Sequence, residues 1–540
     1  MPSPLSFTGK HWRIRRKKSF TSSDDIPILL ARERKLLPGV EKLSDPFMFS
    51  EMKAAVQRIE HAMASGEMIG IFGDYDADGI TGVAQLVRFF RRHNIEPIVH
   101  LPDRLSEGYG LQEASLRSLA QKGVSLLITV DTGVTAHGEI ALAKTLGMDV
   151  IVTDHHRPRA GRPPALAVLH PEIPSPTGNP HLCGSGVALT LVRALEHGKV
   201  WDGVDVDIVL AMIGTIGDVV PLVGENRLLV LRGLKMIDGL GPSALRELID
   251  AVRSPGKPLT AGDIAFRVVP RINAAGRLRH PSIALEALLS GGRALEELHR
   301  LNSERQTMVE DLLEHARTLV HPEHPFIVIR HETFTPGVVG LIAGRLTDEY
   351  GRPSLVGSAL ADRVVCSLRS VSSVDVMACL QHPDVQPNLL TYGGHTQAAG
   401  CTFLPTAFDA VSIGLSKAIR SFGLTDDDLT PELAIESELP PELLGTDLAR
   451  SLQFLAPFGA GNEEPVFLLR NVAIANPRIV GSDGRHLQCR INDVKAIGFG
   501  LGSLLESLPQ ENLDVAGSIS LDTWNGREEP QIILRDMRKR

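Results

Sequence analysis

Apolar positions change period repeatedly between residues 51 and about 225. Residues 52–63 carry apolar side chains at helical spacing, residues 68–72 form a short apolar run, and residues 83–92 return to helical spacing. The alternation continues with predicted strands at 97–101, 126–130 and 150–152 and predicted helices at 111–121 and 136–146. Short strands separated by helices predict βαβ units and a parallel sheet. Residues 158–181 are proline-rich and aperiodic, a predicted loop; 183–194 and 206–217 predict buried helices.

The remainder reads differently. Residues 226–320 are helical, charged and amphipathic, with an interruption at Arg267-Val-Val-Pro-Arg271-Ile-Asn-Ala-Ala-Gly-Arg277-Leu-Arg279. The interruption predicts a small-residue turn whose four arginines either grip phosphates or form a solvated basic loop. Residues 295–319 form one long helical pattern, expected to connect two lobes. A second α/β unit is expected over 321–421: a strand at 326–329, a helix at 338–350, a strand at 364–368 ending in Arg369, and a glycine-rich loop at Gly393-Gly-His395. There glycines allow close approach of a ligand and His395 is a candidate phosphate contact. Residues 422–436 are polar and acidic, an expected linker. Residues 437–540 look all-β, with hairpin signals at Asn492-Asp493 and Asn525-Gly526. A small barrel fits, and an OB-fold is the commonest one that handles single strands. Phe499 and Trp524 are candidate stacking aromatics, with a core role the stronger expectation. Residues 1–50, basic around 12–18, are expected to be a solvated extension.

Composition narrows the classes. The chain has 540 residues, 43% of them hydrophobic, and only 4% aromatic. That is ample for several domains with cores. A net charge of −8 provides no global basic field, so any polyanion site must be local. The five cysteines, Cys183, Cys366, Cys379, Cys401 and Cys489, lack Cys-x-x-Cys spacing. This argues against structural zinc or a disulfide framework and for a reducing compartment. No signal peptide or apolar spanning run is apparent, and a cytoplasmic setting with no membrane partner is expected.

The candidate chemistry lies at the carboxyl ends of the predicted strands. The first ends in Asp74-Tyr-Asp76-Ala-Asp78-Gly, the third in Asp131-Thr-Gly, the fourth in Asp154-His155-His156. Open α/β sheets place ligands at this edge, so these residues should converge. Three acids so close repel one another, and cations between them relieve the repulsion; the alternative for the stretch is a solvated Asp-rich turn. Asp218, after an apolar helix, reads alone as a cap or turn residue. Carboxylates with neutral imidazole suit Mn²⁺ or Mg²⁺. Asp76, Asp78, Asp131, His155 and Asp218 supply enough ligands for a two-metal site. His156 is a candidate phosphate contact or general acid. The chain lacks a dinucleotide fingerprint after the first strand and a P-loop. Phosphodiester or phosphoanhydride hydrolysis is the expected chemistry.

Asp74-Tyr-Asp-Ala-Asp-Gly-Ile-Thr-Gly82, Glu107-Gly-Tyr-Gly110, Asp131-Thr-Gly-Val-Thr135, Asp154-His155-His156 and Gly217-Asp-Val-Val-Pro-Leu222 resemble the ordered motifs of the DHH phosphoesterase superfamily. Arg271-Ile-Asn-Ala-Ala-Gly-Arg277, Gly393-Gly-His395 and Pro457-Phe-Gly-Ala-Gly-Asn-Glu-Glu-Pro465 make the resemblance closest to its RecJ family, over about residues 50–540. The resemblance implies an α/β architecture: a parallel-sheet DHH core at 51–225, a helical region and connector helix at 226–320, a smaller DHHA1-type α/β domain at 321–421 and an OB-fold-like domain at 437–540. It implies 5′-to-3′ removal of mononucleotides from single-stranded DNA with Mn²⁺ or Mg²⁺. It carries metal ligation to Asp74, Asp76, Asp78, Asp131, His155 and Asp218, and a 5′-phosphate pocket to Arg104, Arg277, Ser367 and Arg369. It places His156 and His395 near the scissile phosphate. Implied partners are single-strand-binding protein, a RecQ-type helicase and recombination and mismatch-repair factors; a monomer is expected. Two other readings compete: a phosphodiesterase of oligoribonucleotides or cyclic dinucleotides, which the terminal barrel disfavours, and a non-catalytic strand binder, which the full ligand set disfavours.

Overall fold

The strand Met68–Gly73 is buried from Ile69 onward, and a five-stranded, wholly parallel sheet forms around it. Its order is Ile98–His100, Met68–Gly73, Val124–Val130, Asp149–Thr153, Ala167–Leu169. Numbered along the chain, these strands run 2-1-3-4-5. Side chains alternate between two cores. Ile69, Ile71, Leu126, Ile128, Val130 and Ile151 face one side with the helices Met52–Ser65, Ala77–Arg92, Gly184–Leu195 and Val206–Gly217. Phe72, Leu127, Val150 and Val152 face the other, with Glu113–Gln121 and His137–Thr145. A parallel sheet covered on both faces accounts for these near-continuous apolar runs.

The computed structural model describes every residue except 1–4, 17–19, 21, 38, 105–106, 109, 159–160, 174–178, 198–204, 322, 482–483, 510–511 and 525–526, and the side chains of 426, 524 and 527. The Asn525-Gly526 turn signal, Lys17, Lys18 and the Trp524 side chain therefore lie outside the described residues. The chain forms two units. One comprises Leu29–Ser303 with Leu455–Glu464; the other comprises Met1–Ile28, Glu304–Phe454 and Pro465–Arg540. The parallel sheet belongs to the first. Segment 455–464 joins that unit through the Leu222 N–H, which donates to Ala460 O at 2.7 Å, and through Arg227, which donates to Leu455 O at 3.2 Å.

In the second unit a five-stranded sheet runs in the order Leu389–His395, Ala398–Phe403, Val364–Arg369, Ser354–Ala359, Ile327–His331, and is antiparallel except for its last pair. The same unit holds a seven-stranded mixed sheet built from residues 437–539, in which Asn492 and Asp493 both take the left-handed backbone of a two-residue hairpin turn.

Several expectations are corrected. The described part of residues 1–50 is not a solvated extension: His11–Ile14 pairs in parallel with Glu432–Ile435, inside the expected linker. Trp12 is buried, its Nε1 donates to Asp536 Oδ2 at 2.9 Å, and the Arg538 guanidinium lies 4.4 Å from its ring centre. Contacts across more than five hundred residues leave no local signature. The strands Ala167–Leu169 and Ser354–Ala359 were not predicted; the first is three residues long amid prolines. The stretch around Arg267–Arg279 is helical, not a turn. A π-helical segment Ile264–Val268 leads into Val269–Leu278, and Pro270 sits in the first turn, where its missing N–H is tolerated. Gly393-Gly-His395 ends a strand. Phe499 is 59% exposed and packs edge-on to His486, not into a core.

Candidate metal centre

The 2-1-3-4-5 order reverses direction between the first and third strands, the switch point where doubly wound sheets open a ligand crevice. The acids extend the sheet by one residue past each strand end. Asp74 N–H donates to Val130 O at 3.2 Å, Asp131 N–H to Thr153 O at 2.8 Å, and Asp154 N–H to Leu169 O at 3.1 Å. The register therefore sets them side by side. Asp131 takes a left-handed backbone, φ +61°, a costly conformation for a residue with a β-carbon. The loop after it is pinned: Thr129 Oγ1 donates to Thr132 O at 2.7 Å, and Val134 N–H donates to Asp154 Oδ2 at 2.8 Å.

Two helix starts fix two more acids. Asp76 caps Ala77–Arg92, its Oδ1 accepting from the N–H groups of Asp78 and Gly79 at 2.9 and 3.1 Å. That cap starts the helix six residues before the predicted 83. Asp78 accepts from Gly184 N–H at 2.6 Å and Ser185 N–H at 2.9 Å, at the start of Gly184–Leu195. Asp218 follows Val206–Gly217 directly.

These elements bring eight predicted residues together. His155 Nε2 lies 3.2 Å from Asp131 Oδ1, 3.5 Å from Asp218 Oδ2 and 3.9 Å from Asp78 Oδ2. His156 Nδ1 is 2.8 Å from Asp154 Oδ1. Three sets of ligand atoms each fall within 4.8 Å of one another: Asp131 with His155 and His156, Asp78 with His155 and Asp218, Asp74 with Asp76 and Asp131. Asp131 and His155 are each shared by two sets. Asp74 Oδ1, Asp131 Oδ1 and His155 Nε2 are buried without a hydrogen-bond partner. Buried polar atoms are normally satisfied. Three unsatisfied ones, aimed into one oxygen-rich cluster, fit a divalent cation of the Mn²⁺ or Mg²⁺ type.

Electrostatics agree with that fit. Burial, then the neighbouring carboxylates, pushes Asp74 and Asp131 well above the usual carboxylate range, and Asp218 up to about 9. Burial holds His155 below its ordinary value, which favours the neutral, ligating imidazole. Burial alone would lower His156, but the hydrogen bond to Asp154 and its charge raise it to about 9. The same pair outweighs burial at Asp154 and holds it at about 2.

Arg104 and Arg277 lie at the edge of this cluster. Arg104 sits 5.2 Å from the Tyr75 ring centre, and both arginines act electrostatically on Tyr75. Ser367, Arg369 and His395 belong to the other unit. Ser367 pairs with Gly400 and Arg369 with Ala398, which in turn pairs with His395, so the three share one face and one end of a sheet. Gly340, in the first turn of Val339–Tyr350, packs there: a β-carbon on it would lie 3.2 Å from Arg369 Nη2 and 3.3 Å from Ser367 Oγ. Sequence reasoning missed Gly184, Ser185 and Asn273. A β-carbon at Gly184 would lie 2.5 Å from Asp131 Cβ. Asn273 Oδ1 accepts from Ala77 N–H at 2.8 Å and ties its helix to the acid loop. The small residues Gly184-Ser-Gly186 after Cys183 were the available signal for close approach.

Comparison with known proteins bears on this geometry. The model of the DHH family N-terminal domain matches residues 68–215, and that of the RecJ OB domain matches 435–536. A Thermus thermophilus protein named single-stranded-DNA-specific exonuclease RecJ is 36% identical over 509 residues, covering 92% of this chain and 73% of the relative. The chain belongs to the RecJ family. The Bacillus subtilis protein of the same name is 33% identical over 91% of this chain, which spans 64% of that relative's length. The crystal structure of Thermus RecJ with Mn²⁺ superposes with a TM-score of 0.84 at 32% identity, covering 99% of this chain and 80% of that one; the same protein has been solved with Mg²⁺. The α/β fold class and the C-terminal OB domain are thus shown. The cations in the RecJ structures are the two expected from the donor set. No helix among the described residues is long and apolar enough to cross a membrane.

Proposed function

We propose that the chain is a single-stranded-DNA-specific exonuclease that degrades from the 5′ end and releases 5′-mononucleotides by two-metal phosphodiester hydrolysis. The observation that carries this is the position of His155 Nε2, buried and unpartnered, among Asp131, Asp218 and Asp78, in a member of a family whose relatives carry that name. Asp74, Asp76, Asp78, Asp131, His155 and Asp218 would hold two divalent cations. When bound, these supply an activated water and neutralise charge at the scissile phosphate.

The chain's own groups do the rest. Asp131, common to two ligand sets, would help hold both cations. Asp154 orients His156 and keeps it protonated at pH 7, so His156 offers a proton to a phosphate or leaving oxygen. By resemblance, Arg104, Arg277, Ser367 and Arg369, with His395, are assigned to the 5′-phosphate; the first turn of Val339–Tyr350, packed on Ser367 and Arg369, adds a favourable dipole. We further infer action in recombination and repair, with single-strand-binding protein and a RecQ-type helicase as partners, as a cytoplasmic monomer. The test uses 5′- and 3′-labelled single strands and a duplex with Mn²⁺, Mg²⁺ or chelator. Immediate mononucleotide release from the 5′ label of the single strand only, lost with chelator, is the expected result. Release from the 3′ label first, or equal cleavage of duplex, overturns it.

A further inference from the structure

Phe266 is 83% exposed in a chain where only 4% of residues are aromatic. A single exposed apolar side chain is ordinary, so its setting decides. Phe266 lies in the π-helical segment Ile264–Val268, a form frequent at functional sites. Five residues on is Arg271. Its Nη1 donates to Arg267 O at 2.5 Å and its Nε to His299 Nδ1 at 3.3 Å. Burial, then Arg271, holds His299 below its ordinary pKa, which favours the neutral ring. Neither partner carries negative charge, and among the described residues Arg271 has no carboxylate partner. Arg267 differs: it lies 3.5 Å from Asp263. The half-buried charge of Arg271 is therefore uncompensated, which suits an anion.

The same helix reaches the acid cluster. Asn273 Oδ1 accepts from Ala77 N–H, and a β-carbon on Gly276 would lie 2.8 Å from Tyr75 O. Phe266 lies seven residues before Asn273, roughly 10 Å along the axis at 1.5 Å per residue. We propose that Phe266 and Arg271 form a docking site for single-stranded nucleic acid, a base stacking on the phenylalanine ring and a backbone phosphate held by the guanidinium. The proposal rests on the single-strand reading above and adds a base contact away from the metal centre. It also adds a local basic group to a chain of net charge −8.

The test measures binding in chelator, where no strand is cut. Phe266→Trp places a reporter at the site, with the wild-type chain as fluorescence background. A 5′-phosphorylated oligothymidylate should quench the added emission, and an abasic strand of equal length should not. Phe266→Ala should weaken oligothymidylate binding by roughly fivefold or more, and Arg271→Gln should reduce the slope of log Kd against log salt by about 0.7. Unchanged emission at saturation, with wild-type affinity in Phe266→Ala, overturns the proposal. If the wild-type chain binds no strand, both readings fail. If it cuts strands while the tryptophan signal stays still and Phe266→Ala binds as wild type, this one alone fails.

Discussion

Replacing Asp218 by asparagine isolates the energetic effect of crowding the acids. Burial, Asp78 and Asp76 move its carboxyl from 3.8 up to about 9. The sign follows from linkage. The unfolded chain releases this proton near pH 4 and the folded chain keeps it to about 9, so stability falls as pH rises across that interval. From the unfolded value to pH 7 the penalty is on the order of 4 kcal/mol, at about 1.4 kcal/mol per pH unit. Asparagine keeps the shape and removes the titration. In chelator, Asp218→Asn should unfold at higher urea than wild type at pH 8, and the gap should close towards pH 4. Mn²⁺ should narrow or reverse the order. A cation at about a hundred times its Kd stabilises the wild-type chain by about 2.7 kcal/mol, whereas the variant has lost a ligand. The assay is urea denaturation followed by circular dichroism at several pH values, with chelator or Mn²⁺. A variant no more stable than wild type in chelator at pH 8, or one with an undiminished Mn²⁺ gain, would refute the reasoning.

Four further outcomes are expected. Asp131→Ala should abolish Mn²⁺-dependent cleavage while leaving single-strand affinity, measured by anisotropy, within a fewfold of wild type. Gly184→Ala inserts a β-carbon 2.5 Å from Asp131 Cβ and 2.7 Å from its Oδ1; displacing that carboxylate by about 1 Å should lower kcat about a hundredfold, and a wild-type rate would show that the contact does not hold Asp131. Arg369→Ala should remove the preference for a 5′-phosphorylated over a 5′-hydroxyl strand, read as the ratio of kcat/KM values. Trp12→Ala should destabilise the unit containing Asp536 by about 3–5 kcal/mol, seen as an earlier thermal transition, because it removes a buried ring and leaves a fully buried carboxylate without one donor.

The acid-bearing sheet was legible because its strands are local: 68–72, 126–130 and 150–152 are short apolar runs, each ending in an acid or histidine. Periodicity cannot show what acts at a distance. Trp12 is fixed by Asp536 and Arg538, so the first fifty residues read as solvated. The Ala274-Ala275-Gly276 run reads as a turn because small residues also mark turns. Here Gly276 is small because the helix packs against the Tyr75 backbone, and Ala274 and Ala275 are buried in the core. The candidate ligands other than Asp218 were named from strand ends, but Gly184 and Ser185 were not, since their part is backbone N–H donation that no side chain announces. Ser367 and Arg369 were assigned by resemblance alone, and residue patterning says nothing of them beyond a strand end.

Within Asp154-His155-His156, adjacent residues divide the work in a way that hydrogen bonding reveals. Asp154 has both oxygens occupied, by Val134 N–H on one side and by His155 N–H, His156 N–H and the His156 ring on the other. It sits at about 2, which marks a carboxylate whose charge the fold already satisfies. Asp131 and Asp74 each keep a buried oxygen with no partner and lie well above the usual range. Their charge is one the fold alone does not satisfy. Asp154 therefore reads as framework that sets His156, and Asp131 and Asp74 as the carboxylates proposed to hold a cation. The contrast predicts opposite behaviour on asparagine substitution in chelator. Asp154→Asn should destabilise the chain and lower the His156 pKa from about 9, because a satisfied charge pair is lost. Asp131→Asn should stabilise it, because a repelled charge is removed. Histidine titration by NMR with denaturant midpoints reads both, and a shift of the same sign in the two variants would show that the division is wrong.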